Sequence, residues 1–227
     1  MRRRGLVTAL VRPTVRSLPW PRLAAGWGLG LVVAAVPVLF STGYSAQTLV
    51  DVVRGSAWCG AVGTAFVLDD PARHTVGTLP VPRPLRQALR VAAVLPAIAV
   101  WWTAVLAAAR AGAGAGQWAA VPVAAVTVEA GALSGLALAL AAAVVRFSEV
   151  RMPGAGVAGA VLALPVTAAV LLSSDATPFV PLGDPRWADA HVLWCGILAA
   201  VLAAWLVCAP EPCRRLGGLR PRRGAGG

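Results

Sequence analysis

Glu129 is the only acidic residue deep within an apolar stretch of this 227-residue chain. A charge at the centre of a bilayer costs about 2.5–3.5 kcal/mol on insertion scales. Such a carboxylate is therefore expected to face a partner helix or a watered cavity, or to carry a proton. We name Glu129 as the candidate residue of a translocation path, and a polar contact between helices or a neutral carboxyl as the alternatives.

Asp51 and Arg54 are a second candidate pair because they lie three residues apart in an apolar segment. At this spacing two side chains share one face of a helix and can form an ion pair. The position near the outer end of the segment predicts an interfacial ion pair rather than a site.

Ser134 and His191 could supply a nucleophile and its base if the fold brought them together. With several membrane segments around it, this pair resembles that of the rhomboid-like intramembrane serine proteases. The sequence at 132–135 is ALSG, whereas that family has GxSG, so the first glycine is missing. His191 is also placed near the outer interface rather than one or two turns into its helix. We therefore treat the protease as the weaker alternative and expect that the chain is not an enzyme.

The sequence contains no motif for metal binding, disulfide exchange or nucleotide binding. The four cysteines form no CxxC pair and have no metal-like spacing with His74 or His191. A P-loop needs a lysine, and every basic residue of this chain is an arginine. We predict no metal, no cofactor and no ATP binding by this chain itself.

The composition indicates lipid as the solvent. Apolar residues make up 58% of the chain and charged residues 13%, well below the charge that a soluble surface needs. Apolar runs of about 17–25 residues suit a hydrocarbon core of roughly 30 Å. Six runs are predicted as transmembrane helices, the fourth long enough to tilt or break near Pro122: Ala24–Phe40, Thr48–Leu68, Val91–Ala109, Trp118–Val145, Gly154–Leu172 and Val192–Cys208.

Arginines predict the orientation. Seventeen of the twenty fall in the two terminal segments and the second and fourth loops, which share one side if there are six helices. Because positive charge stays on the cytosolic side, both termini are predicted to be cytosolic in a plasma (inner) membrane. Residues 1–23 then form an amphipathic interfacial segment, residues 24–209 the transmembrane domain and residues 210–227 a basic, disordered tail. The net charge of +11 is explained in the same way, and no nucleic-acid partner is expected.

The loop from Phe66 to Arg90 is the most informative stretch, with the sequence FVLDDPARHTVGTLPVPRPLRQALR. Asp70 can cap a helix that Pro71 starts, and Gly77 with the prolines that follow should end it. A new helix is predicted to begin at Leu85. From the residues alone, an ordinary connector that obeys the positive-inside rule is the simpler interpretation.

The order of elements and this loop resemble the membrane subunits of ABC transporters of the type-two exporter kind, in their small high-GC bacterial versions. In that family an amphipathic helix precedes six membrane helices, and the loop after the second carries a coupling helix that docks on a separate ATPase. The resemblance implies that the coupling residues, with the cytosolic loop 69–90 as their frame, are Asp69, Asp70, Pro71, Arg73, His74, Arg83, Arg86 and Arg90.

The same resemblance implies a permease that changes between inward and outward openings when two ATPase subunits close. It would need that ATPase and a second membrane subunit, identical or related, as partners. Its apolar helices suit lipids, apolar peptides and many drugs equally. A non-transporting scaffold or accessory subunit of an envelope complex is the alternative from a different class.

Overall fold

The computed structural model describes residues 12–40, 43–69, 83–148, 150, 152–171 and 177–208. Within these ranges every regular element is helical, as the predicted all-α fold requires. Residues 12–16 are helical, and seven further helices follow: α1 Trp20–Phe40, α2 Ala46–Thr64, α3 Arg83–Ala111, α4 Ala115–Ala119, α5 Val123–Phe147, α6 Gly154–Leu171 and α7 Trp187–Cys208. The predicted tail 210–227 lies outside the described residues.

Prolines explain where several helices begin. Helix α1 starts at Trp20, earlier than predicted, with Pro21 in its first turn, where a missing N–H costs no hydrogen bond. The predicted fourth segment, Trp118–Val145, is interrupted at Pro122: the short α4 ends at Ala119 and the long α5 begins at Val123, so of the two predicted outcomes, tilting or breaking, the break occurs. Helix α3 starts at Arg83, two residues before the predicted Leu85.

Five of these helices are long and apolar enough to cross a membrane, namely α1, α3, α5, α6 and α7. Large apolar side chains cover their outer faces, as at Val100, Val170 and Leu206, which are 70%, 76% and 63% exposed. A water-soluble fold buries such residues, whereas a lipid-facing surface presents them. The chain is therefore a multi-pass membrane protein.

Helix α2 is not among the five, although the sequence predicts a span there. It carries Asp51 and Arg54, and it packs against α1 on one side and α5 on the other. Leu49, Val50 and Val53 are fully buried in a cluster with Ala109 of α3 and Val126 of α5. Because α2 faces other helices more than its surroundings, its sequence can be less apolar than theirs.

Small residues set the close approach of the helices. A Cβ atom at Gly26 would lie 2.6 Å from the Cα of Gly63, so α1 and α2 meet backbone to backbone. At Gly135 of α5 a Cβ would lie 2.8 Å from Cγ2 of Val201 on α7. Gly26 with Gly30 and Gly131 with Gly135 have GxxxG spacing, and both pairs pack helices within the chain, as small residues do in membranes.

The long helices alternate in direction, and two polar clusters at opposite ends of the bundle show which helix ends lie together. Helices α1, α3 and α6 begin at the end of the bundle where Asp69 follows α2. Helices α2, α5 and α7 begin at the other end, beside residues 177–186. We call these the loop end and the cap end, and residues 177–186 the cap segment.

Candidate functional site

Arg54 of α2 and Glu129 of α5 form a buried ion pair near the cap end. Nε of Arg54 donates to Oε2 of Glu129 at 2.7 Å, and a terminal guanidinium nitrogen donates to Oε1 at 2.8 Å. The Glu129 side chain is 1% exposed. A two-bond arginine–carboxylate pair of this kind is strong and fixes the orientation of both groups. It therefore fixes how α5 is rotated against α2.

His191 of α7 extends the pair to a third helix. Its Nδ1 lies 2.8 Å from the backbone oxygen of Trp187, one turn earlier in α7. Its Nε2 lies 3.0 Å from Oε1 of Glu129, but the two atoms are not aligned as in a hydrogen bond, so Nε2 has no hydrogen-bond partner. We treat this as a close polar contact. The Trp187 ring packs against the imidazole and the Arg54 guanidinium, with centres 4.4 and 5.4 Å away.

The cap segment closes the cluster from the outer side of the bundle. The remaining terminal nitrogen of Arg54 donates to the Val180 carbonyl at 3.1 Å. The Leu182 N–H donates to the side-chain oxygen of Gln47 at 2.7 Å, which ties the cap segment to the start of α2. Phe179 packs edge-on against Trp194. Arg54 thus joins α2, α5 and the cap segment through one guanidinium group.

The predicted Asp51–Arg54 ion pair is wrong. Asp51 is exposed and accepts a hydrogen bond from the Gln47 amide at 2.8 Å, whereas Arg54 turns to Glu129 on another helix. Spacing along the chain showed only that the two residues can share a face. The rotation of α2 in the bundle directs Arg54 inward, where the carboxylate of α5 is the stronger partner.

Asp69 is the centre of a second polar cluster at the loop end. One of its carboxylate oxygens accepts from Arg22 of α1 at 2.9 Å, and the other accepts from the Gly154 N–H at 2.8 Å. Arg90 of α3 donates to the Asp69 backbone oxygen at 2.6 Å and lies 3.4 Å from the Ser17 hydroxyl. Asp69 therefore connects the end of α2 with the starts of α1, α3 and α6.

Burial raises the pKa of the Asp69 carboxyl, whose residue is 2% exposed. The hydrogen bond from the Gly154 N–H and the positive charges of Arg22 and Arg90 offset part of that rise. The hydrogen bonds from Arg22 and the Gly154 N–H define the position of the carboxyl, although burial disfavours its charged form.

The structure describes three of the eight predicted coupling side chains. Asp69 and Arg90 meet as described above, and Arg86 is half-buried in the second turn of α3. Arg83 begins α3, but its side chain lies outside the described atoms. Asp70, Pro71, Arg73 and His74 also lie outside the described residues, so their predicted helix remains a prediction.

Ser134 lies apart from His191. It lines an apolar groove of about 530 Å³ between α3, α5 and α7, together with residues such as Trp102 and Trp205. Among the hydrogen bonds of the described residues none joins Ser134 to His191, whose nitrogens face Trp187 and Glu129. The described part of the chain also contains no group of His, Cys, Asp and Glu side chains that could hold a metal ion.

Sequence reasoning found Glu129 but missed its partners. One signal was available, because Arg54 is the only arginine in the interior of a predicted span, and a lone arginine and a lone glutamate in apolar segments stabilise each other. His191 carried no such signal. No family model, curated protein or solved structure matches the chain.

Proposed function

We propose that the chain is the permease subunit of an ATP-driven exporter, with six membrane spans and both termini in the cytosol of a bacterial cell. A separate ABC-type ATPase would dock on residues 69–90, and a second membrane subunit would complete the translocation path. The observation that carries this proposal is the cluster around Asp69 at the base of that loop.

The cluster is suited to transmit force from a docked partner. Asp69 precedes residues 70–82 and α3 follows them, and the hydrogen bond from Arg90 of α3 to the Asp69 backbone oxygen joins the two sides of this stretch. Arg22 and the Gly154 N–H connect the same point to α1 and α6. A displacement of the loop would therefore move four helices together, and rigid-body motion of this kind switches transporters between states.

The charge distribution supports the orientation. Among the described residues, Arg22, Arg90 and Arg146 lie toward the loop end, whereas Arg110 and Arg186 lie toward the cap end. Positive-inside retention then assigns the loop end to the cytosol. Helix α2 would be the sixth span, made tolerable in lipid by the pairing of Arg54 with Glu129.

Topology is the first test. Reporter fusions within residues 70–82 should be active only as cytosolic reporters, and fusions within the cap segment only as external ones. Fusions that place residues 70–82 outside the cell would contradict the proposed docking surface and the partner together.

The partner is the second test. The full chain should be co-expressed with the ATPase of a neighbouring reading frame, if that frame has a P-loop and an ABC signature. We expect a complex in mild detergent that Arg83→Glu with Arg86→Glu weakens at least tenfold. Recovery of an envelope complex that lacks an ATPase, with these changes having no effect, would instead favour the scaffold.

Coupling is tested separately from docking. Asp69→Ala should leave ATPase binding intact but reduce the membrane-subunit-dependent ATP hydrolysis at least fivefold, because the loop loses its attachment to α1 and α6. Asp51→Ala is the matched control, since Asp51 is an exposed aspartate at the other end of α2. Equal hydrolysis in both variants would refute the role of the Asp69 cluster.

A further inference from the structure

We propose that the Arg54–Glu129–His191 cluster is a proton-binding site, in which a proton on His191 pairs the imidazolium with the Glu129 carboxylate and holds the cap end closed. The site is independent of the ATPase proposal, since it includes none of residues 69–90. The proposal rests on the hydrogen-bond donors and acceptors around the His191 imidazole.

Both ring nitrogens of His191 face acceptors. Nδ1 lies 2.8 Å from a backbone carbonyl oxygen, which can only accept, so Nδ1 must carry the proton of that hydrogen bond. A neutral imidazole then has a bare lone pair on Nε2. Nε2 lies 3.0 Å from Oε1 of Glu129, although the two atoms are not aligned as in a hydrogen bond. A second proton on Nε2 turns this contact between two electron-rich atoms into an ion pair between an imidazolium and a carboxylate.

Arg54 cannot supply the missing proton because its contacts are already directed elsewhere. Nε and one terminal nitrogen donate to Glu129, and the other terminal nitrogen donates to Val180. A guanidinium also stays charged in proteins. The additional proton must therefore come from solution, and its binding changes the net charge of the cluster from zero to +1.

The surrounding groups leave this choice finely balanced. From α2 the charged group that faces the cluster is Arg54, from α5 it is Glu129, and α7 and the cap segment present the Trp187 and Val180 carbonyl oxygens. Asp184 of the cap segment is paired with Arg186, and Asp189 of α7 is exposed. Without the proton two acceptors are in contact, and with it a buried site carries one unbalanced charge. Each state has a cost, as a switchable site requires.

Proton binding would act on the cap end through helix contacts. The ion pair between protonated His191 and Glu129 joins α7 to α5, and Arg54 already joins α5 to α2 and the cap segment. Loss of the proton leaves α7 without its polar attachment to Glu129. We therefore expect the cap end to close at acidic pH and to loosen at alkaline pH.

The first experiment observes the ring directly. The chain has two histidines, so His74→Gln leaves His191 as the only histidine in the full-length protein. Nitrogen NMR of the ¹⁵N-histidine-labelled protein in bilayers distinguishes an imidazolium from each neutral tautomer. Between pH 8 and pH 5 we expect a transition to a ring that is protonated at both nitrogens.

Glu129→Gln should weaken the proton affinity of His191 at least tenfold, whereas Asp189→Asn on the same helix should change it less than twofold. If Glu129→Gln fails to accumulate, Glu129→Asp withdraws the carboxylate by one methylene and should weaken binding in the same direction. A ring that stays neutral between pH 8 and pH 5, or a titration that Glu129 variants leave unchanged, would overturn the proposal.

The second experiment measures closure. Amide hydrogen exchange of the cap segment, corrected for the intrinsic effect of pH, should be at least fivefold slower at pH 5.5 than at pH 8. His191→Gln should remove this dependence, because the glutamine has no titrating group. A pH dependence that survives in His191→Gln would show that the proton bound at this site does not close the cap end.

Discussion

Removing one partner of the Arg54–Glu129 pair should destabilise the fold far more than removing both. Glu129→Gln takes away the charge that neutralises a buried guanidinium and turns an amide N–H toward one of the arginine donors. An uncompensated buried charge costs about 3–5 kcal/mol, and we expect this loss in the free energy of unfolding. The Arg54 and Glu129 side chains are both buried, so the loss of the carboxylate leaves the guanidinium charge without its partner.

Arg54→Met should cost less than Glu129→Gln. A lone carboxylate can be neutralised by a proton, whereas a lone guanidinium cannot. The double variant Arg54→Met with Glu129→Leu removes both charges and fills the space with apolar atoms. Its stability should lie within about 1 kcal/mol of the wild type or above it, since apolar replacements of buried pairs are often neutral or stabilising.

The assay is reversible unfolding in mixed micelles, followed by the fluorescence of the nine tryptophans. With the single variant Glu129→Leu added, the wild type, Arg54→Met, Glu129→Leu and the double variant form a double-mutant cycle, and its interaction energy isolates the pair from the separate costs of each substitution. A Glu129→Gln variant within 1 kcal/mol of the wild type, or a cycle with no interaction energy, would refute the reasoning. Either result would mean that water or a proton already compensates these groups.

Three further predictions concern packing and pH. Gly26→Ala should lower the free energy of unfolding by about 1–3 kcal/mol because the added Cβ meets the backbone of α2. Gly28→Ala is the control and should be neutral or stabilising, because a Cβ there meets no atom within 4 Å. Equal effects of the two substitutions would contradict the backbone contact. Trp101→Phe removes the 2.7 Å hydrogen bond from the indole to the Trp27 carbonyl and should cost at least about 0.5–1.5 kcal/mol in the same assay, so a smaller loss would argue against that bond. Burial raises the pKa of Asp69 above its unfolded value, so the stability that this carboxyl contributes is complete below the unfolded pKa and is lost as the pH rises through the folded pKa. When the free energy of unfolding is measured against pH, Asp69→Asn should remove this decline. A pH dependence that is the same in the variant would contradict the prediction.

The sequence predicted the apolar helices well because length and composition determine them. Five of the six predicted segments correspond to helices that meet both criteria, and the break at Pro122 follows from the lost backbone donor. Helix α2 shows the limit of this reasoning. Its polarity is balanced by Glu129, which lies 75 residues later, and no local pattern records that distance.

The site was predictable in part. Glu129 was found because a buried charge stands out in an apolar run, and Asp69 was included as a neighbour of the loop motif. Their contacts depend on how each helix is rotated in the bundle. For Arg54 that rotation decides between Asp51 and Glu129, and a spacing of three residues favours the wrong one. The contact of Asp69 with α6 similarly depends on the Gly154 N–H, and a backbone group cannot be recognised from a side-chain motif.

The separation between Arg54 and Glu129 also affects how the protein is made. If α2 is the sixth span proposed above, it reaches the insertion machinery during synthesis 75 residues before its neutralising carboxylate exists. At about 5–20 residues per second this delay lasts roughly 4–15 s. Through that interval the nascent chain must shelter a guanidinium group in the machinery or at the bilayer surface. Final placement of α2 therefore has to wait for α5, so the order of assembly differs from the order of synthesis.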